Sequence, residues 1–189
     1  QDLKFQGEDT TAEVGDNNKI RENVTINRGT AAKGKTCVGS GNLLMESVHV
    51  AHDAFVGNDC IIGNGTKLAG EIIIDDHAII SANVLMHQFC RVGGYTMVGG
   101  GTRFSQDIPP YTICAREPVA YCGLNLVGLR RRGFSNELIE NIHNAYRIIY
   151  QGGVPLNEAL QKVREEVPAS PEINYIIEFI ENSKRGFVH

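Results

Sequence analysis

The chain has 189 residues, a net charge of −4, 21 glycines, 6 prolines, 7 Phe, 6 Tyr and no Trp. So few prolines, and glycine without a strict triplet, exclude collagen. A small net charge with 42% apolar residues excludes a disordered chain, and no apolar run is long enough to cross a bilayer as a helix. No basic, apolar leader opens the chain at Gln1. The five cysteines (37, 60, 90, 114 and 122) form no CxxC pair, which speaks against a disulfide framework or a zinc ribbon and for reduced thiols in the cytoplasm. A mildly acidic chain is a poor general binder of nucleic acid.

The first element is a repeat. Every sixth residue from Val14 to Phe104 is apolar, running through Ile20, Ile26, Ala32, Val38, Leu44 and so on. At this composition one phase would do that by chance about once in a million. The position two residues earlier is small, β-branched or amide, as in Asn18, Thr36, Asn42, Cys60 and Thr66. A period of six fits neither a helix nor a simple strand. It fits a triangular coil of short strands, with aliphatic residues pointing inward and small ones at the corners. Such rungs stack roughly 4.8 Å apart by parallel pairing. The stretch predicts about five rungs. Glycine follows the aliphatic at Gly15, Gly39, Gly57, Gly63, Gly93 and Gly99, where a corner is expected to need positive φ. Asn27 to Cys37 keeps the phase but holds only Ala32 and a Lys33-Gly34-Lys35 tip, and reads as a rung with a side loop.

Beyond Phe104 the character changes. Pro109, Pro110 and Pro118 predict the end of the coil. Ser135 is placed to cap a helix reaching about Tyr150. A second helix is predicted over 156–166. Ser170-Pro171-Glu172 opens a third that runs to about Ser183. The expected organisation is a mainly β coil over 1–118 and a three-helix domain over 119–189.

The coil supplies a ruler, because residues one rung apart share a side. His52 then lies next to Gly70 and Gly70 next to Gln88, while Asp53 aligns with Glu71. His49 and His87 join the same side. Imidazole can act as a general base near neutral pH, and a glycine amide can face an oxyanion. Asp53 follows His52 directly, so a His52–Asp53 pair requires a corner, since consecutive strand residues point to opposite faces. His77 and His143 are read as solvated side chains, and Cys60 and Cys90 as corner packing.

At these residues the chain resembles the acyl-carrier-protein–UDP-N-acetylglucosamine O-acyltransferase family. The motifs include Arg28-Gly29-Thr30, His49-Val50-Ala51-His52-Asp53, Leu68-Ala69-Gly70, His87-Gln88-Phe89-Cys90, Asp107-Ile108-Pro109-Pro110-Tyr111, Gly123-Leu124-Asn125 and Arg131-Arg132-Gly133-Phe134-Ser135. The resemblance implies a left-handed parallel β-helix, a homotrimer with sites between subunits, and further rungs upstream of Gln1. It implies acyl transfer from acyl-carrier protein to the 3-hydroxyl of UDP-N-acetylglucosamine, the first step of lipid A biosynthesis, with no cofactor beyond the donor's phosphopantetheine. By the same resemblance His52 is the general base, Asp53 its partner, and the Gly70 amide the oxyanion donor. Asp2, Leu3, Lys4, His49, Glu71, His87 and Gln88 line the substrate, with Glu71 standing where better-known members carry histidine. Asn125, Arg131 and Arg132 contact the nucleotide, and Gly100 leaves the acyl groove long. Three alternatives stand beside this reading. They are the N-acyltransferase acting later on the glucosamine amine, a zinc hydratase like the gamma-class carbonic anhydrases using His49, His52 and His87, and a structural solenoid.

Overall fold

The computed structural model describes residues 3–189; Gln1 and the candidate Asp2 lie outside them. Strands come in threes. The first rung is β1 (Thr11–Val14), β2 (Lys19–Ile20) and β3 (Thr25–Ile26). The second is β4 (Lys35–Val38), β5 (Leu43–Leu44) and β6 (His49–Val50). The third is β7 (Phe55–Val56), β8 (Ile61–Ile62) and β9 (Lys67–Leu68). The fourth is β10 (Ile73–Ile74), β11 (Ile79–Ile80) and β12 (Leu85–Met86), and the fifth is β13 (Arg91–Val92), β14 (Met97–Val98) and β15 (Arg103–Phe104). Equivalent strands pair in parallel, giving the three sides of a prism. Ile73 sits on Phe55 and Arg91 on Ile73, the rung spacing expected from the period.

The inward residues are those of the six-residue phase. Leu44, Val50, Val56, Ile62, Leu68, Ile74, Ile80, Val92 and Val98 are all fully buried. On the first rung Val14 and Ile20 remain 45% exposed, because among the described residues no further rung stacks on that side. The position two before is small for a second reason besides space. Asn42 Nδ2 donates to Gly57 O at 2.9 Å, and its Oδ1 accepts from Cys60 N at 2.7 Å. Thr66 spans two rungs in the same way, donating to Ser81 O and accepting from Val84 N.

One expectation about glycine is corrected. The glycines after the aliphatic do not have positive φ. The left-handed position lies two residues further on and is held by Asn17, Asn23, Ser47, Asp53, Asp59, Glu71, His77, Asn83, Phe89 and Tyr95, among others. Space, not torsion, selects the first kind. A Cβ on Gly63 would stand 2.5 Å from Ala82 N of the next rung, and one on Gly39 would stand 2.5 Å from Gly57 O.

The interruption after β3 is a loop. Rungs one and two are offset by 24 residues (Thr25 to His49) rather than the usual spacing. The loop turns at 31–34 and leaves Ala32 exposed, so this member of the apolar phase never enters the prism. Prolines 109 and 110 also end less than predicted. Ile108 still bridges Val92. After the proline corner, β16 (Thr112–Ala115) rejoins the sheet on β14. β17 (Ala120–Leu124) then folds back antiparallel on β16, so the boundary expected at 118/119 falls inside this hairpin.

Four helices follow rather than three. The extra one is α1 (Leu126–Arg131), capped by Asn125. α2 (Asn136–Gln151) starts at the Ser135 cap, α3 covers Leu156–Glu166, and α4 (Pro171–Glu181) starts at the Ser170 cap with Pro171 in its first turn. Their apolar faces form a second core with Tyr146, Phe179 and Ile142. This core is fastened to the coil. Asp107 bridges Phe187, and Val188 joins the core of the prism.

Candidate active site

The prism has three edges, and the candidate residues divide among them. The edge between third-side and first-side strands carries His52, Asp53, Gly70, Glu71, His87 and Gln88, with His49 on the adjoining strand β6. Leu3 and Lys4 precede Phe5, whose ring lies 5.6 Å from the guanidinium of Arg28 on this same edge. Asn125 and Arg132 approach the edge between first and second sides. Gly100 lies at the corner between second and third sides.

The corner solves the problem posed by adjacent residues. Asp53 has φ of 60°, which turns its side chain back beside that of His52. His52 Nδ1 and Asp53 Oδ2 are 2.9 Å apart. Asp53 is buried at 3% exposure, while the His52 side chain keeps 20% and faces outward, not into the prism. Thr30 holds the carboxylate as well, with one donor to each oxygen. Thr30 N–H donates to Oδ1 at 2.8 Å and Thr30 Oγ1 donates to Oδ2 at 2.6 Å. The Asp53 amide itself donates to Thr36 Oγ1 at 2.8 Å. Burial pushes the Asp53 carboxyl up, but the Thr30 hydroxyl and amide, with His52, hold it below its ordinary value. An ionised, acceptor-only Asp53 makes Nδ1 of His52 the protonated nitrogen and leaves Nε2 as the basic one.

The imidazole lies over Gly70. A Cβ there would fall 2.6 Å from both Nε2 and Cε1, so only glycine admits the ring. At the prism's first edge the corner amides of Asp16, Ser40 and Asn58 donate to side chains of the next rung. The Gly70 amide has no such acceptor among the described residues. The recess around these groups, about 390 Å³, is lined by His49, His52, Lys67, Gly70, Leu85 and Gln88, among others. His87 opens into a neighbouring recess, its Nδ1 facing Gln88 O at 3.0 Å. His49 Nδ1 meets Thr25 Oγ1 at 2.7 Å. Burial, and then the charge of Lys67 stacked on it, hold His49 below the usual histidine range. Glu71 has φ of 59°, and its amide donates to His52 O.

Elsewhere the structure gives the predicted residues other partners. Asn125 is buried with its side chain spent, donating to Tyr95 O at 3.0 Å and accepting from Gly128 N at 3.2 Å. Arg131 is exposed on α1. Arg132 Nη1 lies 2.8 Å from His77 Nδ1 and its guanidinium 5.8 Å from the Tyr95 ring centroid. His77 is thus more than a solvated side chain: burial, followed by Arg132, holds it below its usual range. Cys60 and Cys90 are buried thiols pushed up to about 12 and about 11. Among the described residues no three His, Cys, Asp or Glu side chains are grouped to hold a metal ion.

Sequence reasoning missed Thr30 and Thr36. Thr30 lies in the motif Arg28-Gly29-Thr30, where the repeat breaks, but its contact to Asp53 crosses 23 residues, so the motif alone assigns it no role.

A parallel coil with a hexapeptide phase and a histidine–aspartate pair on its outer face bears the marks of the hexapeptide-repeat acyltransferases. Residues 107–188 match the family model described as UDP-N-acetylglucosamine O-acyltransferase, domain 2. The solved LpxA, a UDP-N-acetylglucosamine acyltransferase from Bacteroides fragilis, is 73% identical with a TM-score of 0.97, covering 100% of this chain and 74% of that one. The O-acyltransferase from Moraxella catarrhalis is 42% identical at a TM-score of 0.95, and LpxA from Acinetobacter baumannii 38% at 0.95, each over 100% of this chain and 74% of its own. The chain belongs to the UDP-N-acetylglucosamine O-acyltransferase family. Its fold is accordingly the left-handed parallel β-helix of that family, with a helical tail.

Proposed function

We propose that this chain moves a 3-hydroxyacyl group from acyl-carrier protein to the 3-hydroxyl of UDP-N-acetylglucosamine, the opening step of lipid A biosynthesis. The observation that carries the reading is the His52–Asp53 pair at 2.9 Å, with its ring lying over the Gly70 backbone. His52 Nε2 takes the proton of the sugar hydroxyl as that oxygen bonds to the thioester carbonyl carbon. The Gly70 amide donates to the oxyanion so formed. The carbon–sulfur bond then breaks, and the imidazolium returns its proton to the leaving phosphopantetheine thiolate. Asp53 keeps Nδ1 protonated and offsets the charge that develops on the ring. The chain brings no cofactor of its own in this scheme.

The sugar lies against Asp2, Leu3, Lys4, His49, Glu71, His87 and Gln88. Asn125, Arg131 and Arg132 serve the nucleotide and its phosphates, for which guanidinium forks are suited. Gly100, where an added Cβ would approach nothing closer than Ala82 O at 3.3 Å, leaves the acyl groove long. These groups occupy three separate edges of one prism, which supports a homotrimer in which neighbouring copies face one another's edges. Exposed Arg130 and Arg131 suit an acidic carrier protein. The described residues contain no helix long and apolar enough to cross a membrane, and we place the reaction in the cytoplasm. The coil over 1–118 is the catalytic unit, and 119–189 the unit that serves nucleotide and carrier.

The test is turnover of His52→Ala with 3-hydroxyacyl carrier protein and UDP-N-acetylglucosamine. A fall of about 10²- to 10⁴-fold with an intact fold is expected. Turnover at the unmodified rate overturns the reading.

A further inference from the structure

The loop after β3 interrupts the period between the first two rungs, and the interruption delivers a single side chain to the His52–Asp53 pair. Thr30 is 6% exposed and gives both of its donors to Asp53, one to each carboxylate oxygen. The Thr30 hydroxyl meets the same oxygen, Oδ2, that His52 Nδ1 meets. The loop is built to keep it there. Arg28 ties the loop's base to rung one through Thr10, with Nε to Oγ1 at 2.8 Å and Nη2 to the carbonyl at 2.6 Å. Gly29 N–H donates to Thr11 O at 2.8 Å. A Cβ on Gly29 would stand 2.3 Å from Lys35 N, so the chain doubles back where only glycine fits. Past Thr30 the turn is closed by Lys33 and Gly34 amides donating to Thr30 O, and by Ala32 N–H donating to Thr30 Oγ1.

A carboxylate in the corner without these two donors could rotate about its Cβ–Cγ bond and present either oxygen to the imidazole. Donors on both oxygens fix the plane of the carboxylate, and through it the ring. A chain that only needed to close its coil could pass from β3 to β4 by the ordinary corner.

We infer that Thr30 is a positioning residue for the reaction: its hydroxyl and amide orient Asp53, and Asp53 orients His52. The inference rests on the proposed roles of His52 and Asp53. It also assigns the side loop its purpose, since the loop carries Thr30 to the one corner of the coil where catalysis is proposed.

A double-mutant cycle tests it in the full chain, with kcat and KM read for acyl-carrier-protein donor and UDP-N-acetylglucosamine. Thr30→Val removes the hydroxyl at constant size. It is expected to lower kcat about tenfold, as a charge-assisted hydrogen bond warrants, with KM changed less than about twofold. Thr30→Ser keeps the hydroxyl and is expected to restore kcat to within about twofold. In Asp53→Asn the Thr30→Val change is expected to have no further effect on kcat, because the group it acts through is gone. Should Thr30→Val not fold, Thr30→Ala carries the same arms. Unmodified kcat in Thr30→Val overturns the inference, and so does a loss that adds in full to that of Asp53→Asn. Unmodified kcat in Asp53→Asn alone overturns instead the reading of the site on which the inference stands.

Discussion

The His52 ring occupies the space where a side chain on Gly70 would be, with Nε2 and Cε1 both 2.6 Å from the position of a Cβ. The proposed base and the proposed oxyanion donor are therefore not two independent features. The missing side chain that lets the ring lie down is the same one that bares the amide. Gly70 is not among the positive-φ glycines, so its backbone accepts alanine. Gly70→Ala should fold as the unmodified chain does, yet move the ring by the better part of an ångström. A displacement of that size costs about 10²-fold in turnover. Steady-state kinetics beside circular dichroism checks it; unmodified turnover would mean that the ring is not where catalysis needs it.

The Asp53 carboxyl is held below its ordinary value in the folded chain, against the push of burial, by Thr30 and His52. A carboxyl lowered on folding stabilises the fold fully above its unfolded value of about 3.9, and that contribution fades as pH falls through the lowered folded value. Asp53→Asn lacks the titration. Its Tm should therefore fall less steeply than that of the unmodified chain between pH 5 and pH 2 (about 5 and about 2 on the scale of carboxylate titration). Parallel Tm profiles in that window would contradict the assignment.

The prism was legible because its driving force is periodic. Inward residues such as Leu44, Ile62 and Ile80 recur at a fixed step, and a step of six has few geometric solutions. The helices α2 and α4 were legible through Ser135, Ser170 and Pro171, which act locally. What stayed hidden depends on contacts distant in sequence. α1 has 6 residues, one of them Gly128, and persists because Asn125 caps it and Leu129 is buried. β16 resumes the sheet after a proline corner that breaks the phase. Thr30 belongs to the site only through a bond to a residue on the next rung. The candidate pair itself was legible as neighbours in sequence, but the left-handed turn at Asp53 that joins them shows only in the structure.

The two kinds of corner glycine predict opposite responses to substitution. A Cβ on Gly63 would stand 2.5 Å from Ala82 N and 2.6 Å from Ser81 C, both backbone atoms of the neighbouring rung. Gly63→Ala must push two rungs apart and should cost about 1–3 kcal/mol. Gly101 has φ of 71° and open space around it. One rung below, the same corner is occupied by Asn83 at φ of 57°. Asparagine tolerates this conformation, so Gly101→Asn should change stability by less than about 0.5 kcal/mol. Urea unfolding of the two variants side by side decides it, and an equal cost would show that torsion rather than space governs both.

The phenol of Tyr175 is one of the groups that fasten the helical tail to the coil. Tyr175 OH donates to Asp75 Oδ2 at 2.5 Å and accepts from Gly94 N at 2.8 Å. Burial raises the Asp75 carboxyl, and the Tyr175 bond and the charge of Arg91 offset part of that rise. A carboxyl raised on folding contributes stability below its unfolded value of about 3.9 and loses that contribution as pH climbs through the folded value. Above its folded value Asp75 is thus a half-buried anion that depends on its donor. Tyr175→Phe strands both the anion and the Gly94 amide, and should cost about 1–3 kcal/mol at neutral pH. In acid the carboxyl is protonated and needs the donor less, so the cost should shrink. Adding Asp75→Asn to Tyr175→Phe should remove most of the pH dependence of that cost, because the anion is gone. Urea unfolding of the two variants and the double variant near neutral pH and near the carboxylate range measures this. A cost for Tyr175→Phe that is the same at both pH values would show that the phenol serves Gly94 alone, and that the tail is held by packing around Phe179 and Arg91.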